Sequence, residues 1–165
     1  MNWKKGIAVA LSAISIMAMV AGCGSNTATN DQKKIGVIQL VEHPSLDAAN
    51  KGFVDGLASK GYKDGENIKL DQQNAQADQS NLNSIAQRFV SDKKDLVLAI
   101  ATPAEQTMAN ASHDIPIMGT AITDYVTAKL VQSNEHPGGN VSGTSDMTPV
   151  EKEVDLIIAL VPNVK

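Results

Sequence analysis

From Ile35 onward the chain alternates between two hydrophobic periods. Residues 35–41 (Ile-Gly-Val-Ile-Gln-Leu-Val) are almost continuously apolar, which predicts a strand covered on both faces. Ser45 then reads as the N-cap of a helix in which Leu46, Ala49, Phe53 and Leu57 recur at helical spacing and which Gly61 ends. Gly52 and Gly56 lie four apart on a neighbouring stripe and predict close packing of that helix on a sheet. After a turn at 63–67, residues 68–73 alternate, as suits a strand nearer a sheet edge. A second helix is predicted from about Ser80 to Asp92, with Leu82, Ile85, Phe89 and Val90 inward. Residues 96–101 form another buried strand, and Pro103 suits the first turn of a helix reaching about Ser112. A fourth strand over 115–122, a short helix over 124–131, a turn at 136–140 and a fifth strand over 141–144 follow. Thr148-Pro149-Val150-Glu151 reads as a capping box opening a last helix that continues through Val154, Ile157, Ile158 and Val161 and stops at Pro162.

Five strands interleaved with five helices imply right-handed crossovers and a doubly wound, parallel, five-stranded α/β sheet. In such sheets ligands bind beyond the carboxyl ends of the strands, where strand order reverses. With the order 2-1-3-4-5, that point lies between the exits Glu42-His43-Pro44-Ser45 and Thr102-Pro103-Ala104. Thr123-Asp124 and Gln73-Asn74 leave the sheet beside them. These exits are polar where the strands behind them are apolar. Hydroxyls and N–H groups at helix N-termini suit a carboxylate or phosphate, and Asp124 suits an ammonium. Each residue also has a plainer role: Ser45, Thr102 and Asp124 as caps, Glu42 and His43 as a solvated loop.

The start of the chain changes the setting. Lys4 and Lys5 precede an uncharged apolar run over 6–20, and Val20-Ala21-Gly22-Cys23 closes it. This is the three-part layout of a secretory signal, shorter than the roughly 20 residues that span a bilayer. The cysteine after small residues resembles a bacterial lipoprotein signal. That resemblance implies lipid on Cys23, which becomes the mature N-terminus on the outer side of the cell membrane. The predicted organisation is a signal peptide at 1–22, a polar tether at 23–34 and an α/β lobe at 35–165. Cys23 is the only cysteine, so no intrachain disulfide forms. Few aromatics remain, which predicts an aliphatic core. The formal charge of −4 falls to −6 without Lys4 and Lys5, and no basic cluster offers a surface for nucleic acid. His43, His113 and His136 lack metal-ligand spacing, and no nucleophile elbow, phosphate loop or dinucleotide fingerprint occurs. No catalytic residue, metal or cofactor is expected.

Several segments resemble the tryptophan/tyrosine-type substrate-binding lipoproteins of ABC transporters. They are Glu42-His43-Pro44-Ser45-Leu46-Asp47, residues 52–57, Gly61-Tyr62, Gln73-Asn74-Ala75, Ala101-Thr102-Pro103-Ala104, Ile115-Pro116-Ile117, Thr123-Asp124 and Pro137-Gly138-Gly139-Asn140. The similarity runs from about Ile35 to Lys165. It implies the N-terminal lobe of a type I periplasmic-binding-protein-like fold, in which two α/β lobes close on a small molecule. The expected function is capture of an amino acid, aromatic ones included, and its delivery to a membrane permease with its ATPase. By position, Glu42, His43, Pro44, Asn74, Thr102, Ala104 and Asp124 become ligand contacts, with Thr102 on a carboxylate and Asp124 on an ammonium. Tyr125 stands where the family pattern has proline, and either stacks on a ligand or reshapes the loop. The second lobe is expected to be absent from this chain. A lipid-anchored sensory or interaction module, or a truncated remnant, is the alternative reading.

Overall fold

The computed structural model describes residues 32–161; the expected signal, Cys23, most of the tether and Pro162 lie outside them. The elements run β1 (Lys33–Gln39), α1 (Pro44–Ser59), β2 (Ile68–Asn74), α2 (Gln79–Ser91), β3 (Leu96–Ile100), α3 (Thr102–Ala111), β4 (Ile117–Ile122), β5 (Val141–Ser145) and α4 (Val150–Leu160). All five strands are parallel, in the order β2-β1-β3-β4-β5. The predicted order and the edge position of β2 are thus observed.

The apolar runs follow from this layering. On one face Ile38, Val97, Ala99 and Ile117 meet Leu82, Ala86 and Phe89 of α2 and Met108 of α3. On the other, Val37, Leu98 and Ile100 meet Leu46 and Phe53 of α1. Alternate residues of β1 and β3 therefore serve opposite layers, and both must be apolar. The core is mostly aliphatic; among its aromatics Phe89 is fully buried, and Gly36 leaves room for its ring. Lys94 Nζ lies 5.0 Å from that ring's centroid and 2.8 Å from Asp71 Oδ2.

Several expectations are corrected. Residues 124–131 form no helix. Asp124 organises a single turn, in which the Ala128 N–H donates to the Asp124 carbonyl, and Lys129 closes it at φ 59°. The described residues therefore hold four helices, not five. Gly52 and Gly56 meet nothing within 4 Å, because their stripe of α1 faces solvent. His43, not Ser45, caps α1: its Nδ1 accepts from the Ser45 N–H at 3.3 Å, and Pro44 occupies the first turn. Thr148 makes no side-chain cap on α4, whose N-cap is Pro149. Val154, Ile157, Ile158 and Val161, which continue that helix, are all exposed. The expected tether ends early. Gln32 Nε2 donates to the carbonyls of Gly65 and Glu66, Lys33 opens β1, and the Lys34 N–H donates to Asp95.

Candidate functional site: the carboxyl edge of the sheet

Parallel strands deliver all their carboxyl ends to one edge, and backbone hydrogen bonds tie the exits together there. The Ala75 N–H donates to the Gln39 carbonyl, the Ala77 N–H to Leu40, the Leu40 N–H to Ile100 and the Ala101 N–H to Thr120, at 2.8–3.3 Å. The loops carrying Glu42 and His43, Asn74, Thr102 and Asp124 therefore share one rim.

The rim is strained. Outside glycine, positive φ among the described residues occurs at Gln76, Ala77, Lys93, Ala101, Ala121 and Lys129. Four of these six lie at the carboxyl ends of β2, β3 and β4. Ala101 holds φ 81° and ψ 149°, a region that side chains other than glycine rarely enter, at a cost of about 1–3 kcal/mol. Its conformation turns the chain from β3 directly into α3. The Ala101 carbonyl accepts from the N–H groups of Ala104 and Glu105. No side chain caps α3, and the Thr102 hydroxyl, half-buried, has no hydrogen-bond partner among the described residues. A helix start with positive potential and an uncommitted hydroxyl can receive an anionic group.

The other predicted residues differ in what they present. Glu42, His43, Pro44 and Asn74 are exposed. Asn74 Oδ1 accepts from the Gln76 N–H at 2.8 Å, which holds the strained residue that follows. Asp124 Oδ1 accepts from the N–H groups of Val126 and Thr127, and Oδ2 accepts from the Thr127 hydroxyl at 2.6 Å. Hydrogen bonds from Thr127, and a further one from Val126, hold its carboxyl below the usual range. Asp124 is thus a fixed, ionised acceptor. Ala104 is fully buried and contributes shape alone. Tyr125 is 6% exposed, and its hydroxyl donates to the Thr144 carbonyl at 3.3 Å, so its ring is a floor beneath the rim.

Sequence reasoning missed Gln39. Gln39 is 3% exposed. Its Nε2 donates to Asp47 Oδ1 at 2.6 Å and to the Val41 carbonyl at 2.9 Å, which pins α1 to the end of β1. A glutamine inside an apolar strand was the available signal.

The whole strand-bearing region has known counterparts. Residues 34–165 match the sequence family described as ABC transporter substrate binding protein. The tyrosine-binding protein of Clostridioides difficile (strain R20291) is 50% identical over 173 aligned positions, covering 98% of this chain and 50% of that protein. The chain therefore spans about half the length of the curated relative that it matches. A solved ABC domain in complex with L-Trp from Streptococcus pneumonia is 49% identical with a TM-score of 0.78, over 81% of this chain and 45% of that one. The ligand-free, open structure of a substrate binding protein with adhesive properties from Clostridium difficile is 55% identical with a TM-score of 0.74, over the same shares.

Proposed function

This chain belongs to the ABC transporter substrate-binding protein family, and we propose that its rim is the half of a capture cleft that reads the polar groups of an amino acid. The observation that carries this reading is the juxtaposition on one strained edge of an uncapped helix start at Thr102 and a fixed carboxylate at Asp124. The first suits the ligand's carboxylate and the second its ammonium. Glu42, His43, Pro44 and Asn74 form the outer contacts, while Ala104 and Tyr125 set the shape behind them. Similarity to proteins described as binding tyrosine and L-Trp supports an aromatic side chain on the ligand.

In the same reading, residues 1–22 are a signal peptide and the tether follows a lipidated Cys23. The lobe begins at β1, stands outside the cytoplasm, and passes its ligand to a permease and its ATPase. Pockets for small molecules enclose roughly 70–90% of the ligand surface, and this rim alone supplies part of that enclosure. The test is therefore amide-shift titration with L-tryptophan and L-tyrosine up to millimolar concentration. Saturable shifts at Thr102, Asp124 and His43 are expected, weakened at least fivefold in Thr102→Val. Shifts confined to another surface, or a Thr102→Val variant that binds equally well, would refute the assignment. For the anchor, Cys23→Ser should leave the membrane fraction; its retention there would refute lipidation at that residue.

A further inference from the structure

Glu105 is fully buried, and neither of its carboxyl oxygens has a hydrogen-bond partner among the described residues. It is the fourth residue of α3, one turn behind the rim. Its carboxyl lies over Gly119 of β4, where a Cβ would collide with both oxygens. Across the sheet, Gly119 pairs with Ala99 on one side and Gly143 on the other. A Cβ on Gly143 would in turn collide with the Tyr125 hydroxyl. The row Ala99–Gly119–Gly143 is therefore a trough nearly free of side chains, filled from above by a carboxyl from α3 and a phenol from the turn that follows Asp124.

The chemistry of the trough favours one protonation state. Tyr125 has committed its hydrogen to the Thr144 carbonyl and keeps only lone pairs. Burial, together with the charges of Glu105 and Asp146, holds its phenol above the usual range, so it stays protonated. A neutral carboxyl fills that site without bringing a charge into it, whereas a carboxylate adds a buried charge with nothing to satisfy it. The strands beneath carry no charged residue at this row. Of the charged groups on neighbouring elements, Arg88 pairs with Asp71, Asp124 is engaged with its own turn, and neither Lys129 nor Asp146 bonds to Glu105. Burial alone pushes the Glu105 carboxyl up, to about 8.

We propose that Glu105 is a positioning residue: its neutral carboxyl packs in the trough beside the Tyr125 hydroxyl and so latches the 124–130 turn over α3, and loss of its proton releases the turn together with Asp124. The effect on ligand rests on the reading of the rim given above; the latch itself does not.

The experiment follows two signals in the full chain from pH 6 to 9. These are the Glu105 carboxyl carbon by 13C NMR and amide protection factors in the turn. The Ala128 and Leu130 amides, which donate to the carbonyls of Asp124 and Tyr125, report the turn. Their protection should fall at least tenfold with the midpoint of the carboxyl titration, while Val97 and Ala99 in the sheet hold theirs. Glu105→Gln should abolish the pH response, and Tyr125→Phe should lower turn protection severalfold already at pH 6. A carboxyl that titrates without loosening the turn, equal loosening in Glu105→Gln, or unchanged protection in Tyr125→Phe each overturns the latch. Should Glu105→Gln not fold, the two midpoints in the unaltered chain and the Tyr125→Phe result decide. L-tryptophan added at both pH extremes separates the readings. Weaker binding at pH 9 supports both, and a responding turn with no L-tryptophan binding at either pH supports the latch while refuting the rim.

Discussion

The buried Glu105 carboxyl makes the stability of the whole lobe depend on pH in a direction opposite to that of a paired acid. In the unfolded chain this group ionises near 4.5, and in the fold near 8. Between those values the unfolded state has lost the proton that the folded state keeps, so each rise in pH favours unfolding. The contribution of Glu105 is full below about pH 4.5, falls through the interval and levels off above about 8. At 1.36 kcal/mol per pKa unit, the interval amounts to about 5 kcal/mol. That is comparable with the whole stability of many domains, roughly 5–15 kcal/mol. Release of the Tyr125 turn lets water reach the carboxylate, so the measured loss is the smaller of the two costs. Urea denaturation at fixed ionic strength between pH 5 and 9 reads it directly: the midpoint should drop across the range, with a loss above ~1 kcal/mol. Glu105→Gln keeps the shape without the charge and should flatten the curve. A wild-type midpoint independent of pH, or a Gln variant with the same slope, would refute the assignment of a neutral buried acid.

Two further perturbations test the packing. In Gly36→Ala the new methyl would lie 2.6–2.7 Å from the fully buried Phe89 ring, so the variant should lose ~1–3 kcal/mol, with partial recovery in Gly36→Ala/Phe89→Leu; calorimetric melting that shows additive losses would contradict the clash. Asp71 is raised by burial but held below its usual range by hydrogen bonds from Lys94 and Gln73 and by the charges of Lys94 and Arg88. Asp71→Asn removes the shorter of the two carboxylate contacts of Lys94, whose side chain is only 5% exposed, and leaves Asp92 at 3.4 Å; it should cost roughly 1.5–3 kcal/mol at pH 7, vanishing as the wild-type acid protonates in strong acid; equal urea midpoints for the two proteins at pH 7 would show that the pair is idle.

Much of this architecture was legible in the chain. Continuous apolar runs at β1 and β3 announced strands covered on both faces, and strand-helix alternation announced the parallel sheet. Together these placed Glu42, Thr102 and Asp124 on a common edge before any coordinates. What stayed hidden depends on conformation more than on residue type. Alanine at 101 and 121 advertises no positive φ, so the strain of the rim has no sequence signature. The 124–131 segment carries helix-compatible residues. Its fate is decided at the far end: Asp124 bonds the Val126 and Thr127 N–H groups as a helix cap would, but Lys129 at φ 59° and the Leu130 N–H donating to the Tyr125 carbonyl close the segment after one turn. Glu105 follows Ala104 in an ordinary-looking helix start, and only the register of Gly119 with Ala99 and Gly143 reveals where its carboxyl goes. The apolar stripe of α4 was legible as a stripe, but periodicity identifies a face and not the surface that covers it.

The rim's strain and its polar groups have a common origin in the sheet. Left-handed residues at Ala77, Ala101 and Ala121 cost free energy locally, yet each is held by neighbours whose own positions are fixed by the ladder. The Ala77 N–H bonds to Leu40, the Ala101 N–H to Thr120, and Ala121 sits at the bulge between β4 and β5. Relaxing any of them would break a bond to the buried core, so the strain persists at the edge. On the proposed reading of the rim, that rigidity would hold the half-buried Thr102 hydroxyl and the ionised Asp124 in place before a zwitterion binds, instead of ordering them on binding. Electrostatic recognition gains most where the groups are already aimed, because ordering them on binding subtracts from affinity. A rim of this kind should therefore discriminate by charge placement first and side-chain shape second. An amino acid whose carboxylate is amidated should lose binding to the same Thr102-centred shifts even when its aromatic ring is unchanged.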